Sequence, residues 1–570
     1  MATPREILAE RLKLALEKTH SGVTPEVVPA ADPRLGDYQS NVAMVLAKKD
    51  RTAPKGLAEQ ISRDVDVRDL CEPPEVAGAG FINFRLTTGF LARGLAAIFR
   101  DGRLGVGAAR DKERILIDFS SPNVAKPMHV GHIRSTILGD CLSRTARFLG
   151  HEVITDNHIG DWGTQFGKVI YGWKHFLDDE TALEKNAIAE LVRLYRKVNT
   201  LEETDDAIRR AAREELVKLQ QGDPENRGIW MRAVELSWRE FQKLYELLGI
   251  HFDERLGESF YSDALAPLCD RLASEGVAEM SEGALCIFFR DIPALADKPV
   301  IVRKSDGGFL YATTDLATIE YRVKRWNPSA IWYVVGAPQS LHFQQIFAAA
   351  RRMGVTASLQ HIAFGSILGE DRKIMRTRAG ETIGLDELLG EAIERARAIV
   401  AEKKPALDRQ EAEEIALAIG LGAVKYAELS QHRLTDYVFS WSKMLSFQGN
   451  TAPYLQNAYV RIRSIFRKLD EGFDAPEMLS LEAPEERALA IKLLQFGEIV
   501  PLVLDDFRPN LLANYLYDLA ITFHAFYEAC PVLKADGAER RSSRLVLCDV
   551  AARVLSTGLG LLGINCPERM

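Results

Sequence analysis

His129 and His132, separated by Val130 and Gly131, lie in the segment from Asp118 to Asp140, D-F-S-S-P-N-V-A-K-P-M-H-V-G-H-I-R-S-T-I-L-G-D. The segment leaves a continuously apolar stretch, Ile115-Leu116-Ile117, and crosses a loop punctuated by Pro122 and Pro127. It regains helical spacing near Gly131, with Ile133 and Ile137 on one face. A helix entrance offers unpaired backbone N–H groups and the positive end of the helix dipole, a combination that favours phosphate. Imidazoles placed there can hydrogen-bond phosphate oxygens and stabilise the charge that develops when a phosphorus is attacked. Gly131 would let a flat ligand approach the backbone. Two histidines three apart could instead begin a metal site, but no third and fourth ligand stands nearby; a surface helix cap is the blander alternative.

The elements that must position these groups follow from periodicity. From Arg114 on, short apolar strands alternate with helical spacing: Ile115 to Ile117, Val153-Ile154, Ile331 to Val335, and His361 to Leu368. Residues 111–405 are therefore expected to form a Rossmann-like α/β domain, a parallel sheet covered on both faces with its ligand crevice at the strand ends. The charged stretch from about Asp178 to Gln221 has helical period and reads as an insertion on that domain. Residues 1–110 are expected as a smaller α+β domain. They open on a capped helix, Thr3-Pro4-Arg5-Glu6 with Leu8, Leu12 and Leu16 on one face, include the strand-like Phe81 to Phe84, and close in the Gly-rich stretch Asp101 to Gly107. Beyond about Pro405 strand signals disappear. Residues 406–570 are expected to form an all-α helical bundle, with Leu455, Ala458, Ile462 and Ile465 inward and Arg461, Arg463, Arg467 and Lys468 outward.

Composition narrows the classes of function. The 570 residues carry 72 Lys and Arg against 80 Asp and Glu, a net charge of −8, so any nucleic-acid contact must come from local basic patches. Seven scattered cysteines without a C-x-x-C pair argue for a reducing compartment and against a structural zinc. The longest apolar run, Ile415 to Val424, is too short to span a bilayer, and the opening helix is not a signal peptide. A cytoplasmic protein with no membrane partner is expected.

S-S-P-N-V-A-K-P-M-H-V-G-H resembles the H-I-G-H box of class I aminoacyl-tRNA synthetases, in the form found in bacterial-type arginyl-tRNA synthetases. The resemblance extends to Gly160-Asp-Trp-Gly-Thr-Gln-Phe-Gly167, to Asp306-Gly-Gly-Phe-Leu-Tyr-Ala-Thr-Thr-Asp315, to Gln339-Ser-Leu-His342, and to the C-terminal runs Phe526 to Leu533 and Leu562 to Met570. It covers nearly the whole chain. It implies arginine–tRNA ligase activity: ATP, accompanied by Mg2+, activates L-arginine to arginyl-adenylate, and the arginyl group passes to the terminal adenosine of tRNA(Arg). No organic cofactor is implied, and a monomer is expected. The first 110 residues resemble the family's extra domain, which touches the D-loop corner of the tRNA, and the bundle resembles its anticodon-binding domain. The family also binds tRNA before adenylate forms.

On this resemblance Ser120, His129, Gly131, His132, Lys373 and Arg378 are expected at ATP. Asp118, Tyr311 and Asp315 are expected around the guanidinium, with Asn123, His129 and Gln339 at the α-amino and carboxylate groups. The residue types suit the chemistry, because a planar cation with five donors selects carboxylates able to accept in its plane and an aromatic wall. Tyr311 and Asp315, four apart, share one helical face. A glutamate can occupy the place of Asp118 in relatives. The second ATP motif of the class, K-M-S-K-S, is degenerate: Lys373-Ile-Met-Arg-Thr-Arg-Ala-Gly380 has Thr377 where the second lysine belongs. Arginyl enzymes lacking that lysine carry one just before the H-x-G-H box, which here is Lys126, so Lys126 joins His129 and His132 as an expected catalytic group. Aromatic and basic side chains interleave in the bundle, and Asn457, Tyr459 and Arg461 form a candidate tRNA patch.

Overall fold

The computed structural model describes residues 2–30, 32–369, 371–373, 375, 383–469, 473, 476 and 479–570. The chain divides into two compact units, Arg110–Arg395 with Gln431–Ser442, and Met1–Ala109 with Ala396–Ser430 and Lys443–Met570.

In the first unit, four strands, β1 (Arg114–Phe119), β2 (Glu152–Asp156), β3 (Ala330–Val334) and β4 (Ser358–His361), form a parallel sheet in the order β4-β3-β1-β2. The register sets Tyr333, Asp118 and Asp156 side by side near the carboxyl ends. Helix α1 (Val130–Leu149) lies so close to β1 that a Cβ at Gly139 would stand 2.2 Å from the Phe119 ring. Helix α2 (Tyr311–Trp326) precedes β3, and α3 (Ser340–Arg352) follows it. Leu316 and Ile319 of α2 and Ile346 of α3 bury against Leu116, Ile331 and Leu359 of the sheet, the burial that makes short apolar strands stable here.

The charged insertion is helical as expected: Thr181–Lys185, Ala187–Glu202 and Asp206–Gln220, followed by the long helix Pro224–Leu248. Val124 and Ala125 of the motif loop share its apolar core with Phe166, Leu191 and Leu236, so the insertion braces the loop that carries the histidines. Two expectations change. The stretch His361 to Leu368 is not one strand: β4 ends at His361, and Ile367–Leu368 pairs in parallel with Tyr437–Val438. A strand therefore exists beyond Pro405, its two residues too few to show a period. A three-stranded antiparallel sheet, Glu279–Ser281, Ala284–Ile287 and Val300–Arg303, precedes α2 and was not anticipated.

In the second unit the opening helix Pro4–Leu16 has its capping box, Thr3 with Glu6, and buries Leu8, Leu12 and Leu16. A four-stranded antiparallel sheet runs in the order Val28–Pro29, Tyr38–Ser40, Phe81–Phe84, Glu75–Ala77. The remainder is helical, with Arg409–Leu429, Ala452–Phe466, Pro484–Leu494, Pro509–Ala529 and Ala538–Leu561 the main members. The N-terminal part packs on this bundle: the Tyr38 hydroxyl donates to Glu498 at 2.8 Å, Arg487 pairs with Asp37, and Arg553 donates to the Phe99 and Asp101 carbonyls at 2.7 Å. The compact units thus cut across the three linear stretches drawn from sequence. The units part at Ala109/Arg110 and again at Arg395/Ala396, inside the helix Leu385–Lys403, and Gln431–Ser442 belongs to the first unit. Among the described residues no helix is long and apolar enough to cross a membrane.

Candidate active site

The loop after β1 is held by its own unusual backbone. Ser120, Ser121 and Ala125 have φ of 73°, 47° and 60°, a left-handed conformation that non-glycine residues keep only when their surroundings impose it. The Ser120 N–H donates to Ser135 Oγ at 2.8 Å, and the Ser120 hydroxyl bonds Thr136 and Tyr245, each at 2.8 Å. That hydroxyl is engaged inside the protein, although Ser120 lines the cavity described below. Further along, Val124 N–H donates to the Gly160 carbonyl and Gly160 N–H to that of Pro122, both at 3.0 Å. A Cβ at Gly160 would fall 2.2 Å from Asn123 Oδ1, so the Gly160 box serves to seat Asn123.

His129 is the N-cap of α1. Its Nδ1 accepts from Gly131 N–H at 3.1 Å, and His132 Nδ1 accepts from His129 N–H, also at 3.1 Å. With Nδ1 committed to backbone donors, each neutral ring carries its proton on Nε2, a donor free to meet an acceptor. Burial, then the charge of Lys126, lowers the pKa of His129; burial, then His129, takes His132 down to about 4. The ring centroids are 4.1 Å apart. A Cβ at Gly131 would come within 2.8 Å of the His129 ring, so the glycine makes room for the imidazole as well as lining the cavity described below. Lys126 is exposed. Residues past the K-M-S-K-S position are tied back to this corner, since Val130 N–H donates to the Ile383 carbonyl at 3.0 Å and Leu385 N–H to that of Met128 at 2.9 Å. Lys373 is exposed on a turn closed by Gly369 N–H to its carbonyl at 2.8 Å; Arg378 lies outside the described residues.

Beside the histidines opens a cavity of about 520 Å³. One face of α2 lines it from mouth to floor: Tyr311, 67% exposed, then Asp315, Thr318 and the fully buried Arg322. Asn123 and Gln339, the latter in the short turn Ala337–Gln339 after β3, also line it. Of the expected site residues the cavity thus brings together Asp118, Ser120, Asn123, Gly131, His132, Tyr311, Asp315 and Gln339. Asp315 pairs with His342 from α3.

Sequence reasoning missed Glu258. It lines the same cavity, and its pKa is raised to about 8 by burial first, then by Asp161 and Asp315. Asp161 of the Gly160 box holds this segment by accepting from the Ser259 N–H and hydroxyl at 2.8 and 2.6 Å. The one local sign was Gly257, whose added Cβ would meet the Asp161 carboxylate at 2.4 Å. Asp118 lines the cavity and is already engaged by neighbouring side chains. Its Oδ2 accepts from Arg322 Nη2 at 2.6 Å and its Oδ1 from the Ser121 hydroxyl at 3.0 Å, so a buried side chain already neutralises it. The other carboxylates lining the cavity among the described residues are Glu258 and Asp315, the latter paired with His342.

In the other unit Tyr459 is only 8% exposed, and its hydroxyl donates to Glu568 at 2.7 Å. It anchors the C-terminal segment and presents no face for a base, contrary to the expected patch. Arg461 is exposed, and Asn457 lines a separate cavity of about 240 Å³.

Residues 95–441 match the family model "tRNA synthetases class I (R), catalytic domain", residues 455–570 the DALR anticodon binding domain, and residues 5–86 the arginyl tRNA synthetase N-terminal domain. Arginine–tRNA ligases of a Synechococcus strain and of Thermobifida fusca are 44% and 45% identical to the chain, with all of both chains covered in each case. The chain belongs to the class I arginyl-tRNA synthetases. The crystal structure of arginyl-tRNA synthetase from Plasmodium falciparum superposes on this synthetase with a TM-score of 0.85, at 29% identity and with full coverage of both chains.

Proposed function

We propose that the cavity of this arginine–tRNA ligase is the site of arginyl-adenylate formation, with ATP at the His129–His132 corner and the arginine guanidinium between Glu258 and Asp315. The observation that carries this reading is the electrostatic contrast inside one cavity. Neutral imidazole donors sit at a helix entrance, while Glu258 and Asp315 face a pocket in which no described lysine or arginine neutralises Glu258. A guanidinium supplies a positive charge and five in-plane donors that favour the ionised form of Glu258; a neutral analogue gives no such gain. Tyr311 walls the slot, and Asn123 and Gln339 reach the amino acid's backbone groups.

The arginine carboxylate attacks the α-phosphorus and pyrophosphate leaves; the terminal adenosine hydroxyl of the tRNA then attacks the arginyl carbonyl and AMP leaves. Positioning and charge stabilisation account for the rate. The Nε2–H groups of His129 and His132 stabilise the charge on the phosphate. Lys126, aided by Lys373 and Arg378, replaces the lysine missing at Thr377. Magnesium accompanies ATP as part of the substrate. The helical bundle, with Arg461 and Asn457 on its accessible side, reads the anticodon, and the N-terminal domain meets the tRNA corner. The chain works as a cytoplasmic monomer, which sedimentation with and without tRNA tests.

The test is aminoacylation of mixed tRNA with each amino acid supplied singly, followed by pyrophosphate–ATP exchange with arginine in the absence of tRNA. Charging with arginine alone and negligible exchange without tRNA are expected. Charging with another amino acid would refute the slot, and brisk tRNA-free exchange would refute the order of binding.

A further inference from the structure

The cavity already contains one guanidinium, and it belongs to the protein. Arg322 Nη2 donates to Asp118 Oδ2 at 2.6 Å and to Asp156 Oδ2 at 2.8 Å; the Arg322 and Asp156 side chains are fully buried, and that of Asp118 is 8% exposed. The guanidinium carbon stands 5.5 Å from the Tyr333 ring centroid, while Nε and Nη1 make no hydrogen bond among the described residues. Two carboxylates and an aromatic wall around a planar cation are the features that would select free arginine. Here neighbouring strand positions, Tyr333, Asp118 and Asp156, build such a station, and a side chain seven residues beyond Asp315 fills it. Seven residues are about 10 Å along a helix axis, so the cavity holds two acidic stations of similar chemistry, one open and one closed.

We propose that Arg322 is a specificity-determining positioning residue: it occupies the Asp118–Asp156 station, so that substrate arginine can seat its own guanidinium only between Glu258 and Asp315. The proposal rests on the reading of that slot as the guanidinium site. An unfilled floor station would compete for the substrate, being the more deeply buried of the two. Arginine bound there would carry its carboxylate away from the corner where ATP is attacked, and such binding is unproductive. When a fraction of the bound substrate is misplaced, kcat and KM fall together; simple loss of binding raises KM.

The experiment uses the full-length enzyme with its tRNA and two variants. Arg322→Met combined with Asp156→Asn empties the station without changing its net charge, and Arg322→Lys keeps the charge but loses the fork. For the double variant, kcat and the KM for arginine are expected to fall together by about tenfold, with the KM for ATP within about twofold of wild type. Millimolar guanidinium chloride should restore kcat by refilling the station, and Arg322→Lys should show a smaller joint fall. An unchanged or raised KM for arginine, or no recovery with guanidinium, would overturn the proposal and leave Arg322 as a structural tie. If the double variant melts below the assay temperature, Arg322→Lys decides alone: a joint fall supports the proposal, a raised KM refutes it. Asp315→Asn assayed alongside judges the slot separately. An unmoved KM for arginine there sinks the slot whatever the Arg322 variants do.

Discussion

His132 of the histidine corner lines the same cavity as Glu258 and Asp315 of the acidic slot, but corner and slot are built in opposite ways. At the corner, backbone N–H groups two and three residues away hold the rings, burial keeps them neutral, and Gly131 clears the space. The slot is assembled from Glu258, Asp315 and His342 on separate segments, with like charges forced together by burial. The corner is therefore preorganised, with His132 neutral near pH 7, whereas on the proposed reading a cation bound in the slot would relieve the unfavourable burial of Glu258.

That contrast can be broken in several ways. The largest effect is expected at the corner. Lys126→Ala should slow arginyl-adenylate formation, measured in single turnover with tRNA bound, by about 100-fold or more, the loss of one transition-state donor. A rate within a few-fold of wild type would assign the missing charge elsewhere. Next comes the slot, where Glu258→Gln should lower kcat/KM for arginine by about 30-fold and leave the KM for ATP nearly unchanged, because a neutral amide cannot pair with the cation.

The third expected effect is a pH dependence confined to the slot. In the empty site Glu258 has its pKa raised to about 8, and a bound guanidinium favours the ionised form, so binding releases a proton. The KM for arginine should fall by up to about tenfold per unit as pH rises toward 8, then level off, and Glu258→Gln should flatten the profile. The KM for ATP should not follow it, because His132, near 4, stays neutral throughout. The smallest effect belongs to Gly160, which seats Asn123. Gly160→Ala would push Asn123 aside and should raise the KM for arginine about fivefold with the fold intact by circular dichroism.

The same contrast decides what could be read from the sequence. His129, Gly131 and His132 carry their helix start, their spacing and their backbone partners within four residues, and the sequence showed all three. The apolar strands around Ile117 and Ile331 were legible for the same reason, as local periodicity. Asp118 looked like a free carboxylate because its partner, Arg322, is 204 residues away. Glu258 stood in no periodic pattern, and its meaning depends on Asp161 and Asp315. The return of Gln431–Ser442 to the catalytic unit was equally hidden, since its strand, Tyr437–Val438, is two residues long. Tyr459 looked like a stacking surface until Glu568, from the chain's end, closed over its hydroxyl.

The division of labour between corner and slot is tested most directly by steady-state kinetics of Asp315→Asn with both substrates varied. The KM for arginine should rise by about two orders of magnitude while the KM for ATP stays within about twofold of wild type. Equal changes in the two constants would contradict the account.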